Sequence, residues 1–174
     1  MADRTRILTG DCTVEFEGSR DRTQRGHVVI LVKPDRTVLV HDADGYQPVA
    51  WLTRPDEVTV EHDGEGFSLT AAADGQQLSV SSHDVAGVDS YPVSEAGVPV
   101  GDCPLCTGQL VRTRGEVRCL DCAEQYGLPS GATVLDSACP DCGLPQMRVE
   151  RGEAFDLCVD YACESLSDVV RERF

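Results

Sequence analysis

The sequence predicts an all-β fold: a small β-barrel or sandwich, then two cysteine-stapled ribbons, then a short C-terminal helix. Three observations carry this. The first half of the chain alternates short runs rich in Val, Thr and Leu with turn pairs built on Pro, Gly and Asp. No stretch there repeats its apolar residues at helical spacing. Eight of the nine cysteines fall between Cys103 and Cys163.

Taken in order, residues 8–16, 27–33, 37–41, 49–52, 57–61, 67–71 and 78–81 read as strands. Pro34-Asp35, Asp44-Gly45, Asp63-Gly64 and Asp74-Gly75 separate them, each offering the fixed or positive φ that a tight turn requires. The run VVILV, residues 28–32, is continuously apolar and reads as a central strand covered on both faces. From Ser79 the chain turns small and polar, with Pro92 and Pro99, and reads as a lead into a linker. A helix is expected only at the end, with Ser165 or Ser167 as its cap and Arg171 and Arg173 suiting its C-terminal dipole. The expected organisation is a β domain over residues 1–92, a linker over 93–102, one ribbon over 103–130 and a second ribbon with the helix over 136–174.

Acidic residues outnumber basic ones 30 to 15, and Lys33 is the only lysine. A net charge of −15 suits an acidic, hydrated surface in molar salt, a halophilic reading, and opposes nonspecific binding to phosphate backbones in dilute buffer. Any nucleic acid would have to be held by local arginine patches or by stacking, which salt screens little. No apolar run nears the roughly 20 residues of a membrane span, and no secretory leader is evident. A cytoplasmic protein with no membrane partner is expected.

In a reducing compartment, paired CxxC spacings point to metal before disulfides. CPLC and CLDC supply Cys103, Cys106, Cys119 and Cys122, with LVRTRGEVR between them as a hairpin turning at Gly115. CPDC and CVDYAC supply Cys139, Cys142, Cys158 and Cys163. Four thiolates suit tetrahedral zinc and leave no position for water, so two structural Zn2+ ions are expected; disulfides or an iron site are the competing readings. With them the fold class reads in full as a small β-barrel or sandwich domain followed by two zinc ribbons and a short C-terminal helix.

Residues 139–163, CPDCGLPQMRVERGEAFDLCVDYAC, resemble the C-terminal zinc finger of type IA DNA topoisomerases, through the CPxCG opening with Gly143, Phe155 before the knuckle and Tyr161 within it. Ala162 replaces that family's usual proline. The resemblance implies a ribbon of the kind associated with single-stranded DNA and remote from strand cleavage. A second resemblance runs through GDCTVEFEG, residues 10–18, and RGHVVILVKPDRTVLVHDADGYQPVAW, residues 25–51. These are similar to the N-terminal, non-catalytic domain of the NucS/EndoMS mismatch endonucleases, with Arg36 where KPDG has glycine and Ala50 where asparagine precedes the tryptophan. That resemblance implies a compact β fold that dimerises and holds DNA with the tryptophan near its path. Neither the RecB-like nuclease half nor a topoisomerase catalytic domain has a counterpart here.

Trp51, the only tryptophan, and neighbouring Tyr46 are candidates for stacking on bases, against a role for Trp51 as a core anchor. Arg20, Arg22 and Arg25 in SRDRTQR, and Arg112, Arg114 and Arg118 on the ribbon hairpin, are candidates for phosphate contact. Tyr161 is a further stacking candidate, whereas Phe155 suits a cover over the metal. Cys12 reads as a small core residue, and none of the four histidines stands in a catalytic pattern. The function expected is a non-enzymatic, zinc-containing DNA-binding protein for single-stranded or branched DNA in repair, replication or recombination. The alternative is an adaptor that dimerises through its β domain and docks a repair or transcription enzyme through its ribbons; a repair or replication protein is a further candidate partner.

Overall fold

The computed structural model describes residues 3–122 and 124–163, Arg151 by its backbone alone. The expected C-terminal helix lies outside the described residues. The described chain is all-β, with fourteen strands in three antiparallel sheets, and divides into two compact units, one ending at Val93 and one beginning at Ser94. None of its described elements is a helix able to cross a membrane.

The first unit is a seven-stranded sheet curled into a half-barrel. Its strands are β1 (Asp3–Glu17), β2 (Arg22–Val32), β3 (Val38–His41), β4 (Ala50–Leu52), β5 (Glu57–His62), β6 (Phe67–Ala73) and β7 (Gln76–Val93), in the order β4-β3-β2-β1-β7-β6-β5. Period-two alternation sends Leu8, Cys12 and Val14 of β1, Val28, Ile30 and Val32 of β2, and Leu78 and Val80 of β7 to one face. Phe67 and Leu69 of β6 complete the core from the far side, and β4 curls round to touch β6 and β7. Burial pushes the Cys12 thiol up to about 11, with the Asp11 charge adding to it, so this sulfur is an inert core filler.

Two expectations for this unit need correction. VVILV alternates rather than being covered twice: Val28 and Ile30 are buried in the core while Val29, on the other face of the strand, is 41% exposed. Residues 82–93, read as the lead into a linker, complete β7, which pairs with β1 from Glu17↔Gln77 to Asp3↔Val93. Backbone pairing holds these small polar residues in a strand although few of them enter the core. Two register shifts, at Thr9/Gly10 and Asp11/Cys12, kink the pair. Gly10 is required there, since a Cβ would run into the Asp84 carbonyl.

The second unit holds a four-stranded sheet, β8 (Val98–Asp102), β9 (Gln109–Arg112), β10 (Glu116–Cys119) and β11 (Gln125–Gly127), in the order β11-β10-β9-β8. Beside it lies a three-stranded sheet, β12 (Thr133–Ala138), β13 (Pro145–Arg151) and β14 (Glu153–Cys158). Val98–Asp102, read as linker, pairs with β9. One core runs through both sheets: Leu110 and Val117 of the first pack with Met147 of the second and with Leu144 and Val159, which flank its strands, among five buried cysteines.

Candidate metal centres and nucleic-acid surface

Each sheet of the second unit ends in a cage of sulfur. Cys103, Cys106, Cys119 and Cys122 form one group and Cys139, Cys142, Cys158 and Cys163 the other, every Sγ within 4.8 Å of its three companions. Adjacent sulfurs lie 3.5 Å apart at Cys106–Cys119 and Cys142–Cys158, 3.7 Å at Cys139–Cys163 and 3.8 Å at Cys103–Cys122. A tetrahedron with vertices ~2.3 Å from a central ion has edges of about 3.8 Å, whereas a disulfide needs ~2.0 Å. Both groups can therefore hold a metal ion through sulfur alone.

Local backbone chemistry builds the two cages alike. In the first, Cys103 N–H donates to the Gly108 carbonyl at 2.7 Å, and Thr107 N–H to the Cys103 carbonyl at 2.8 Å. In the second, Cys139 N–H donates to Leu144 and Gly143 N–H to Cys139, at 2.6 and 2.9 Å. Both turns need a positive φ at the residue after the second cysteine, and Thr107 (62°) and Gly143 (78°) supply it. N–H groups of Gly108 and Asp160 reach Cys106 Sγ and Cys158 Sγ, each at 3.4 Å, which favours the thiolate a metal requires. Ala162 donates its N–H to Asp160 Oδ1 at 2.8 Å. A proline there would lack that donor, so the wide knuckle is tied by Asp160 instead.

The cages differ at their surfaces. Cys106 and Cys122 of the first are exposed, whereas Cys142 of the second is half-buried and its other three cysteines are buried. The first carries two outward leucines beside its ligands, Leu105 (68% exposed) and Leu120 (49%). Corresponding tips of the second carry Asp141, outward, and Val159, buried.

In the first unit, β4 places Trp51 at an edge, 50% exposed, between buried Ala50 and Leu52. With Phe16, Ser19, Arg22, Thr53 and Gln76 it lines an open cleft of about 350 Å³. Trp51 also ends a cross-strand row, Trp51–Leu39–Leu31–Ile7, on the face opposite the core. Tyr46, in the loop before β4, is almost wholly exposed. Arg20 is exposed in the β1–β2 turn, outside the cleft lining. Arg25 is engaged by Asp11 through contacts of 2.8 and 3.2 Å, which hold that carboxyl below its usual range.

The arginines of the ribbon hairpin are not gathered on one face. Arg112 stands opposite Val117 and Arg118 opposite Val111, so the two leave the sheet on opposite sides, and Arg118 lies 3.5 Å from Glu116. Arg114 is exposed in the turn beside Gly115 (φ 82°). Tyr161 is exposed on the second cage's knuckle, and Phe155 is half-buried opposite Val149. Sequence reading missed Phe16, Ser19, Thr53 and Gln76 as cleft residues, because only the curl of the sheet brings them to Trp51. Arg36, standing where KPDG has glycine, adopts the left-handed conformation regardless (φ 69°), and its guanidinium donates to the Asp56 carbonyl.

Residues 2–96 match the family model of the endonuclease NucS N-terminal PH-like domain. DNA topoisomerase 1 of Methanothermobacter thermautotrophicus is 37% identical over 95 residues, which is 49% of this chain and 13% of that protein. Among solved structures, EndoMS in apo form is similar with TM-score 0.45 and 24% identity, over 53% of this chain and 44% of that one. An EndoMS–dsDNA complex is similar with TM-score 0.46 and 19% identity, over 72% and 63%. The chain thus spans about an eighth of the topoisomerase it matches and less than two thirds of either EndoMS chain.

Proposed function

The chain belongs, through residues 2–96, to the endonuclease NucS N-terminal PH-like domain family, and from that premise we propose that it is a non-enzymatic, zinc-containing DNA-binding protein of the cytoplasm. Its DNA is single-stranded or branched, and its setting is repair, replication or recombination. One observation carries the reading: a half-exposed indole on an edge strand lines one cleft with Arg22. An indole stacks on any base, and a guanidinium beside it binds phosphate through forked hydrogen bonds. Tyr46 and Arg20 extend that surface. Both sulfur cages hold zinc, each ion fixing two β-turns to one point and so giving shape to a unit with little apolar core.

Stacking outlasts salt, whereas phosphate contacts weaken steeply with it. Titration of a single-stranded oligonucleotide in molar KCl is expected to quench Trp51 emission. Trp51→Ala should cost about 1–3 kcal/mol of binding, and Arg20→Ala with Arg22→Ala should flatten the salt dependence. No quenching and no mobility change at micromolar protein would overturn the reading.

A second reading is supported by Leu105 and Leu120, outward on a surface with acidic Asp102, Asp121 and Glu124 nearby. In it the first cage docks a repair or replication enzyme and the apolar row ending at Trp51 joins two copies of the chain. A protein complex that survives nuclease digestion and is lost with Leu105→Ser and Leu120→Ser favours this reading over the first.

A further inference from the structure

The two cages share ligands and geometry but not exposure. We propose that the first cage is a site of oxidative modification by neutral two-electron oxidants of the peroxide class, and that it gives up its metal while the second cage keeps its own. The inference rests on the reading that both cages hold zinc. In the first, Cys106 and Cys122 meet solvent while Cys103 and Cys119 are buried. Each exposed cysteine has a buried neighbour across the cage, with Cys119 Sγ 3.5 Å from Cys106 Sγ and Cys103 Sγ 3.8 Å from Cys122 Sγ. In the second, only Cys142 is even half-exposed, so an oxidant has no comparable approach.

The chemistry balances within one cage. An exposed thiolate attacks one peroxide oxygen, the O–O bond breaks, and a sulfenic acid forms as hydroxide leaves. The neighbouring thiolate then attacks that sulfur, forms the S–S bond and expels a second hydroxide. Two thiolates lose two electrons, peroxide gains them, and zinc is left with two ligands in place of four. A neutral oxidant is specified because a net charge of −15 repels anionic reagents. The pairing of exposed with buried sulfur supplies the resolving thiol that turns oxidation into a reversible disulfide rather than a terminal sulfinic acid.

Peroxide titration of the full chain tests this, with zinc followed by a chromogenic chelator and cysteines mapped by alkylation and peptide mass. Complete release by a mercurial, on a separate aliquot, first counts the metal: fewer than two equivalents would remove the zinc reading itself. Given two, the expected course is release of one equivalent, a new disulfide at Cys106–Cys119 or Cys103–Cys122, and four unmodified cysteines in the second cage. A thiol reductant with added zinc should then restore the starting state. Release of both equivalents together, release from the second cage first, or no release under peroxide that oxidises free cysteine overturns the proposal.

Discussion

The two units solve the same problem, an all-β fold with modest sheets, by different means. The first buries fifteen residues in one core, of which only Cys12 is a cysteine. Among its described residues, the second gathers ten in its core, and half of them are cysteines. Apolar burial at about 25 cal/mol per Å² can stabilise the first. The described core of the second has few apolar side chains for that, and depends on what its sulfurs bind. The difference teaches that stability and sequence pattern are linked through the unit's means of closure: alternation where a sheet curls over a core, and spacing where cysteines gather on a point.

The largest effect should come from removing the metal. Structural zinc binds with apparent free energies of about 10–16 kcal/mol, so a strong chelator should abolish the second unit's unfolding transition. Trp51 lies in the first unit, and its emission should stay unchanged while circular dichroism falls; a joint loss would break the comparison. Next, Ile30→Ala in the first core should cost about 2–5 kcal/mol, read as a lower denaturant midpoint by Trp51 emission with zinc content preserved. Smaller gains are expected at the left-handed residues, one in each unit. Arg36→Gly and Thr107→Gly each relieve about 1 kcal/mol of Cβ strain, offset by the lost contacts to Asp56 and the Cys106 carbonyl. The first should raise the denaturant midpoint and the second should slow zinc loss to chelator.

The smallest effect concerns protons. Asp63 accepts the N–H groups of Gly66 (2.7 Å) and Glu65 (3.0 Å), which hold its carboxyl below the usual range. A depressed folded pKa contributes stability that is present above the unfolded value near 3.8 and fades as pH falls through the lower folded one. Asp63→Asn should therefore lower the wild-type midpoint slightly at pH 6, with the gap closing below about pH 4. A gap that widens in acid would contradict the assignment of that turn.

Legibility followed the range of the interactions. Turns at Asp44-Gly45, Asp63-Gly64 and Asp74-Gly75 are local, and their glycines do take positive φ. The strand cores between them, and both cysteine sets, could be read directly for the same reason. The outer half of β7 could not, because its strand state is imposed by β1 far away in sequence and not by its own small polar residues. The requirement for glycine at position 10 was equally hidden, arising from a carbonyl on a strand more than 70 residues later. Arg36 and Ala162 look like departures from a pattern in the sequence. Their conformations and hydrogen bonds show the turns being kept by other means.

The pairing of β1 with β7 also bears on how this unit comes into being. β1 can zip to β2 as soon as both emerge, but its other edge has no mate until β7 begins at Gln76, and it is not filled until Val93, the partner of Asp3, has been synthesised. The middle of the sheet is thus completed last, by the most sequence-distant contact it contains, which places the unit among slow, nonlocal folders. During translation a growing chain would expose a long open edge on β1, the state in which a ribosome-associated chaperone has most to do.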